Sequence, residues 1–92
     1  MKMKEVYVVL RNVHRGYLVD SSISGVFGKE DDAIEYALKL AENEVKNNLI
    51  LYGIKSGIEY QNLEIAEIGM TRYTIRCRGY QYDYIVKRME LE

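Results

Sequence analysis

The chain has 92 residues, of which 48% are hydrophobic and 29% are charged. A chain of this length has room for one modest core, so we expect a single domain over residues 1–92. No apolar run approaches the roughly 20 residues that a membrane-spanning helix needs, which argues against a membrane partner. The single cysteine, Cys77, cannot form an internal disulfide. This composition favours a cytoplasmic protein over a disulfide-bonded secreted one.

The net charge of −1 argues against general attraction to nucleic acid or to membranes, but the charge is unevenly distributed. Residues 30–68 carry nine acids and three lysines (3 − 9 = −6). Residues 69–89 carry five basic residues and one acid (5 − 1 = +4). The C-terminal part is therefore a basic segment on an acidic chain. Two solvated faces of opposite sign would explain this distribution, and so would an anion-binding surface.

Two strands are predicted first in the chain. Residues 6–10 form a continuous apolar run rich in β-branched residues, which is typical of a strand in the interior of a sheet. A second strand is expected over residues 17–27. Residues 12–16 have turn chemistry at both ends, so we expect a longish hairpin loop that contains His14.

A long amphipathic helix is predicted to begin at Asp31, because apolar residues recur at helical spacing. Gly28 is the expected N-cap, and acidic residues crowd the first turn, where the helix dipole favours them. We expect the helix to end between Asn47 and Gly53, since glycine suits the left-handed position after a helix. The structure of residues 49–62 is not predicted in detail. The apolar stripe consists of Ile34, Ala37, Leu38, Ala41 and Val45.

The chain is predicted to end in three further strands. The first covers residues 63–68 and is broken by Gly69, and the other two form a hairpin around Arg78 and Gly79. Opposed residue numbers in this hairpin sum to 157, which gathers rings and aliphatic groups on one face and most polar groups on the other. A slip by one residue would mix the two sets, so the pattern specifies the pairing. A type I′ turn would place Arg78 at positive φ, where Asn or Asp is preferred.

Four of the nine tyrosines lie between residues 73 and 84, interleaved with arginines. The rings either pack beneath the helix as core or stay partly open as a recognition surface. Exposed tyrosine and arginine together are typical of interface hot spots and of platforms that stack bases. Guanidinium groups also bind phosphate or carboxylate, although Arg76 could instead form an ion pair with Asp83. The candidate ligand- or partner-binding residues are Arg72, Arg76, Arg78, Tyr80, Tyr82, Tyr84 and Arg88.

Catalysis is not expected from this sequence. His14 is the only histidine, and it is predicted in a loop far from Cys77, which suits a small buried apolar residue. The sequence has no glycine-rich phosphate loop after a strand and no ligand spacing typical of zinc or iron. We therefore predict a protein that is not an enzyme, with no cofactor, no catalytic residue and no metal site.

The opening of the chain contains Val6-Tyr7-Val8-Val9, Gly25-Val26-Phe27, Ala33 and Tyr36-Ala37. In these positions it resembles a group of short, uncharacterised proteins common in bacteriophages and mobile elements. The resemblance covers roughly the first 40 residues and implies a β-hairpin packed on a helix. It also implies a viral or mobile-element setting in the host cell cytoplasm, where small oligomeric proteins often block or sequester parts of host defence. Those proteins usually carry Ser-Ser-Lys-Glu after the Phe, whereas this chain has Gly28-Lys29-Glu30.

The expected fold is α+β: a mainly antiparallel sheet of four or five strands with one long helix on one face, in the order ββαβββ. Because one helix covers one face only, we expect at least a homodimer. The predicted function is a non-enzymatic inhibitor or sequestering protein of the anti-defence (for example anti-CRISPR) kind, which binds a host protein or a nucleotide-like ligand through the C-terminal hairpin. The alternatives are an RNA- or DNA-binding module with a tyrosine stacking face, and a structural assembly protein.

Overall fold

The computed structural model describes residues 4–65 and 68–91. These residues form five strands and one helix in the predicted order ββαβββ, and the α+β class is confirmed. The elements are β1 (Lys4–Arg15), β2 (Leu18–Phe27), α1 (Glu30–Tyr52), β3 (Glu59–Ile65), β4 (Ile68–Cys77) and β5 (Tyr80–Leu91).

The strands form one sheet in the order β2-β1-β5-β4-β3, and all neighbouring strands are antiparallel. The two longest strands, β1 and β5, pair with each other along 12 residues each. The predicted interior position of the first strand is confirmed, because β1 lies between β2 and β5. The sheet edges are the shorter strands β2 and β3.

The connection between β1 and β2 differs from the longish loop that the sequence predicts. β1 continues to Arg15, and a tight turn at Gly16 and Tyr17 brings Arg15 opposite Leu18. The pairing with β5 explains the difference, because Arg15 also lies opposite Tyr80 and the ladder holds residues 12–15 extended. His14 is therefore a strand residue.

The helix ends where the sequence predicts. Gly53 has a φ of 67°, and its N–H donates a hydrogen bond to the Leu49 carbonyl oxygen at 2.9 Å. Glycine adopts this left-handed conformation without the steric cost that a Cβ would add. At the other end the prediction of Gly28 as N-cap is wrong by one residue. The N-cap is Lys29, whose side chain has no oxygen to accept a hydrogen bond from the first turn.

The strand predicted over residues 63–68 is displaced in the structure, and residues 66–67 of that range lie outside the described residues. β3 begins earlier, at Glu59, and ends at Ile65. Gly69 does not break a strand, because it lies within β4 opposite Glu64. Tyr60 pairs with Tyr73 of β4, and this pairing extends β3 over polar residues whose sequence shows no strand periodicity.

The core lies between α1 and one side of the sheet. Three fully buried alanines of α1 allow the helix to approach the sheet closely, and Val9 and Ile75 are fully buried below them. We call this side of the sheet the helix face and the opposite side the open face. The buried sheet residues of the helix face include Val9, Tyr73, Ile75, Tyr84 and Val86, and those of the open face include Val8, Asp83 and Ile85.

Candidate functional site

The C-terminal hairpin has the predicted register. Cys77 lies opposite Tyr80, and Tyr73 lies opposite Tyr84. The two turn residues both have positive φ, 53° for Arg78 and 78° for Gly79, as a type I′ turn requires. The predicted separation of rings from most polar groups follows from this register.

The tyrosines of the hairpin differ in their exposure along the strand. Tyr73 and Tyr84 are buried beneath α1, so for these two rings the core interpretation holds. Tyr82 is half-buried, and Tyr80, next to the turn, is 42% exposed. A partner can therefore contact Tyr80 and the edge of Tyr82, whereas the predicted contact residue Tyr84 is not accessible.

The predicted arginines do not form one surface. Arg72 and Arg76 lie on the open face and bond across to β3: Arg72 donates to Gln61, and Arg76 pairs with Glu59 rather than with Asp83. Arg88 lies on the helix face near the other end of β5, where it is opposite Tyr7. Of the four predicted arginines, Arg78 is the one that follows Cys77 in the turn next to the exposed Tyr80.

Several elements meet at the end of the sheet that carries Arg78. The β1–β2 turn and the β4–β5 turn are neighbours there, because Arg15 lies opposite Tyr80. The Arg78 guanidinium carbon is 4.6 Å from the centroid of the Tyr52 ring, at the last residue of α1. The Arg15 guanidinium carbon is 6.0 Å from the centroid of the Tyr80 ring. We call this region, with residues Arg15, Tyr52, Arg78, Tyr80 and Tyr82, the hairpin end.

A cleft of about 140 Å³ opens at the hairpin end. A cavity of about 150 Å³ can accommodate benzene, so this cleft suits one flat ring rather than a large ligand. The ring of Tyr80 is 6.3 Å from that of Tyr82, centroid to centroid, in an edge-to-face arrangement. The cleft thus has an aromatic lining with a cation at its rim. It is lined by Asn48, Tyr52, Cys77, Arg78, Tyr80 and Tyr82.

A third cation, Arg11, lies next to Tyr82. The Arg11 guanidinium carbon is 5.6 Å from the centroid of the Tyr82 ring. Arg11 also donates hydrogen bonds to the Tyr84 hydroxyl and to Glu44 Oε1, both at 3.2 Å. Burial raises the pKa of Tyr82 and of Tyr84, although the hydrogen bond from Arg11 acts in the opposite direction on the pKa of Tyr84. Both hydroxyls therefore stay protonated at neutral pH, and Arg11 is fixed between helix and sheet.

The open face carries a polar cluster that the sequence analysis missed. The side chain of Asp83 is almost fully buried, and it accepts three sets of hydrogen bonds. Its Oδ2 lies 2.9 Å from His14 Nε2, its Oδ1 accepts from Thr74 Oγ1 at 2.8 Å, and both oxygens lie 3.2 Å from Gln81 Nε2. The predicted hairpin register already places Thr74 opposite Asp83. The contribution of His14 could not be predicted, because the sequence analysis places His14 in a loop and not in β1 beside β5. This cluster ties β1, β4 and β5 together.

Three further observations on residues 4–65 and 68–91 concern the His14–Cys77 pair, metal ligands and membrane-spanning helices. His14 and Cys77 lie on opposite faces of the sheet, so they do not form a nucleophile–base pair. Within these ranges no group of three or more His, Cys, Asp or Glu side chains could hold a metal ion. In the same part of the chain, no helix has the length and apolar character that crossing a membrane requires.

Comparisons with known proteins add no functional assignment to this geometry. Neither a protein-family model, nor a curated protein, nor a solved structure matches the chain.

Proposed function

We propose that this protein is a small non-enzymatic binding protein that acts by inhibiting or sequestering its target, and that the hairpin end is its binding site. The ligand class that suits the site is a nucleotide-like molecule, which combines a flat ring with negative charge. The cleft would take the ring, and the arginines at its rim would contact the anionic group.

The conformation of Arg78 carries the proposal. A φ of 53° places this residue in the left-handed region, which costs an L-residue roughly 1–2 kcal/mol. Asn or Gly would form the same turn more easily, so the arginine is not the residue that the turn itself favours. What the arginine adds is a guanidinium over Tyr52 at the rim of the cleft. Strain at a positioned side chain supports a functional role.

The neighbouring groups complete the recognition chemistry. Base–aromatic stacking contributes about 1–3 kcal/mol per base, and Tyr80 offers an accessible ring for it. Arg15 stands beside that ring, and its ion pair with Asp20 is 3.5 Å long and solvent-exposed, so a ligand anion can compete for it. The site would therefore offer two cations spaced around an aromatic surface.

The proposed biological setting follows from the resemblance of the first 40 residues to phage and mobile-element proteins. In that setting the protein would act in the host cell cytoplasm and neutralise a component of host defence. The target would be a nucleotide-like ligand, with a host protein that inserts an acidic and aromatic side chain as the alternative. A net charge of −1 favours either target over non-specific nucleic-acid binding.

The test is a binding titration by isothermal calorimetry with nucleoside mono-, di- and triphosphates. Arg78→Asn should reduce the affinity at least tenfold, because it removes the rim cation while the turn is kept. Lys39→Asn is the matched control, since Lys39 is an exposed lysine in α1 and its replacement changes the net charge equally. Equal affinities of the Arg78→Asn variant and of the wild-type protein would refute the assignment of the site.

The runner-up is an RNA- or DNA-binding module, which the exposed ring of Tyr80 beside two arginines also favours. Its affinity for an oligonucleotide would fall steeply with salt, with a slope of about −0.7 per contacted phosphate for a single strand. Tight, nearly salt-insensitive binding of one mononucleotide would favour sequestration. If the chain forms oligomers but binds neither mononucleotides nor oligonucleotides, the result would favour the third alternative, a structural assembly protein.

A further inference from the structure

The open face of the sheet is divided into a polar part and an apolar part. The polar part lies toward the hairpin end and contains the Asp83 cluster and the Arg76–Glu59 pair. The apolar part lies on β2, β1 and β5 toward the other end. Cross-strand pairing places its members side by side, as in the row Ile23–Leu10–Ile85. We call this part the apolar patch; it consists of Val8, Leu10, Ile23, Val26, Ile85 and Met89.

The apolar patch has a buried centre and an exposed margin. Val8 and Ile85 are buried between their neighbours, whereas Ile23 is 67% exposed and Val26 and Met89 are also exposed. Three strands spaced about 4.8 Å apart, with three rows about 7 Å apart, give a patch of roughly 300 Å². Patches of that size on soluble proteins are often interaction sites.

We propose that the apolar patch is the interface of a homodimer, in which two copies of the chain pack their open faces together. A twofold axis would place the patch on itself, so apolar surface meets apolar surface and no second complementary surface is needed. Sheets that stack in this way lie about 10 Å apart with interdigitated side chains. The charged side chain within the patch area is Lys87, whose aliphatic part can remain in the contact while its ammonium reaches the rim.

The available area supports a second copy as the occupant. The whole open face measures roughly 24 by 30 Å from strand spacing and row spacing, or about 700 Å². A standard stable interface buries about 800 Å² per partner, so a contact over most of this face is of the right size. The apolar patch would form the dry centre, and the polar part would lie at the rim, as in typical interfaces.

The test compares two isoleucines with nearly the same exposure. Ile23 on the apolar patch is 67% exposed and Ile50 on α1 is 68% exposed. Ile23→Glu places a charge in the proposed contact, whereas Ile50→Glu places the same charge on the helix surface. Because both side chains are mostly solvated within one chain, neither change should unfold the protein, and circular dichroism would verify this.

Sedimentation equilibrium on the full chain measures the outcome. We expect a dimer of 10.8 kDa chains for the wild type and for Ile50→Glu, and a dimer dissociation constant at least 100-fold higher for Ile23→Glu. A monomeric wild type at millimolar concentration would overturn the proposal. So would dissociation by Ile50→Glu with an intact Ile23→Glu dimer, since the contact would then lie on α1. Capture of a different protein by the wild type, with no self-association, would likewise refute a second copy as the occupant.

Discussion

Replacing Asp83 by alanine should destabilise the sheet more than any surface substitution. The carboxylate is 3% exposed and is bonded by groups from β1, β4 and its own strand. Hydrogen bonds to a charged group contribute about 1.5–3 kcal/mol, and the donors left behind lose their partner. Thr74 is buried as well, whereas His14 is half-exposed and can turn to water. We therefore expect a loss of about 3–4 kcal/mol, near the value for breaking a buried pair.

The assay is urea unfolding followed by circular dichroism, with Asp20→Ala as the control. Asp20 is also an aspartate of the sheet with a basic partner, but its side chain is 73% exposed, so its removal should cost about 0.5 kcal/mol or less. For a domain of this size, 3–4 kcal/mol corresponds to a decrease in Tm of roughly 12–30 °C. A loss below about 1 kcal/mol for Asp83→Ala would show that the cluster is not a major stabilising contact. A double-mutant cycle with His14→Ala should then give a coupling energy of about 0.5–3 kcal/mol.

Three further predictions concern the helix face and the turn. Arg78→Asn should leave the free energy of unfolding unchanged or raise it by up to about 1 kcal/mol. Asn adopts the left-handed conformation with less strain than Arg, and this gain offsets the loss of a cation–π contact of about 0.5–1 kcal/mol. Urea unfolding measures the change, and a clear loss of stability would contradict the prediction. Folded-state pKa values above 10.0 for Tyr82 and Tyr84 mean that the folded protein holds these protons more tightly than the unfolded chain. The contribution of the two protonated hydroxyls to stability is fully present below pH 10 and is lost as the pH rises through the folded-state pKa. Tyr84→Phe should therefore reduce the decrease in the free energy of unfolding at alkaline pH. Glu44→Ala leaves Arg11 part-buried without its carboxylate and should cost about 1–3 kcal/mol in thermal unfolding, whereas Glu35→Ala on the exposed side of α1 should cost little.

The parts of the fold that the sequence predicts are those in which local pattern and tertiary contact agree. The helix and its end at Gly53 follow from apolar spacing and a residue suited to positive φ. The hairpin register follows because only one pairing keeps the rings on one side. The prediction of a longish β1–β2 loop is wrong because pairing with β5 extends β1 to Arg15. β5 is distant in sequence, so this pairing leaves no signal in the local sequence. β3 was displaced for the same reason, since Glu59 and Tyr60 become strand residues through β4.

The candidate site was predictable only in part. The turn at Arg78 and the rings of Tyr80 and Tyr82 came from the hairpin alone. The cleft could not be predicted, because it needs Tyr52, and the position of the helix end relative to the turn is a property of the packed structure. Strand alternation also determines that Arg72 and Arg76 face away from the rings, as the predicted register of the hairpin requires.

The proposed ligand site and the proposed dimer interface lie in different parts of the structure, so ligand binding and dimerisation should not depend on each other. The hairpin end lies on the helix face and at the rim of the sheet, whereas Ile23 lies on the open face in the edge strand β2. A dimer through the open faces leaves both clefts uncovered, so each copy should bind ligand with the affinity of the monomer. Calorimetry on Ile23→Glu should therefore give one site per chain with unchanged affinity. If affinity falls together with dimerisation, residues of both copies must contribute to one site, and the cleft of a single chain is not sufficient for binding.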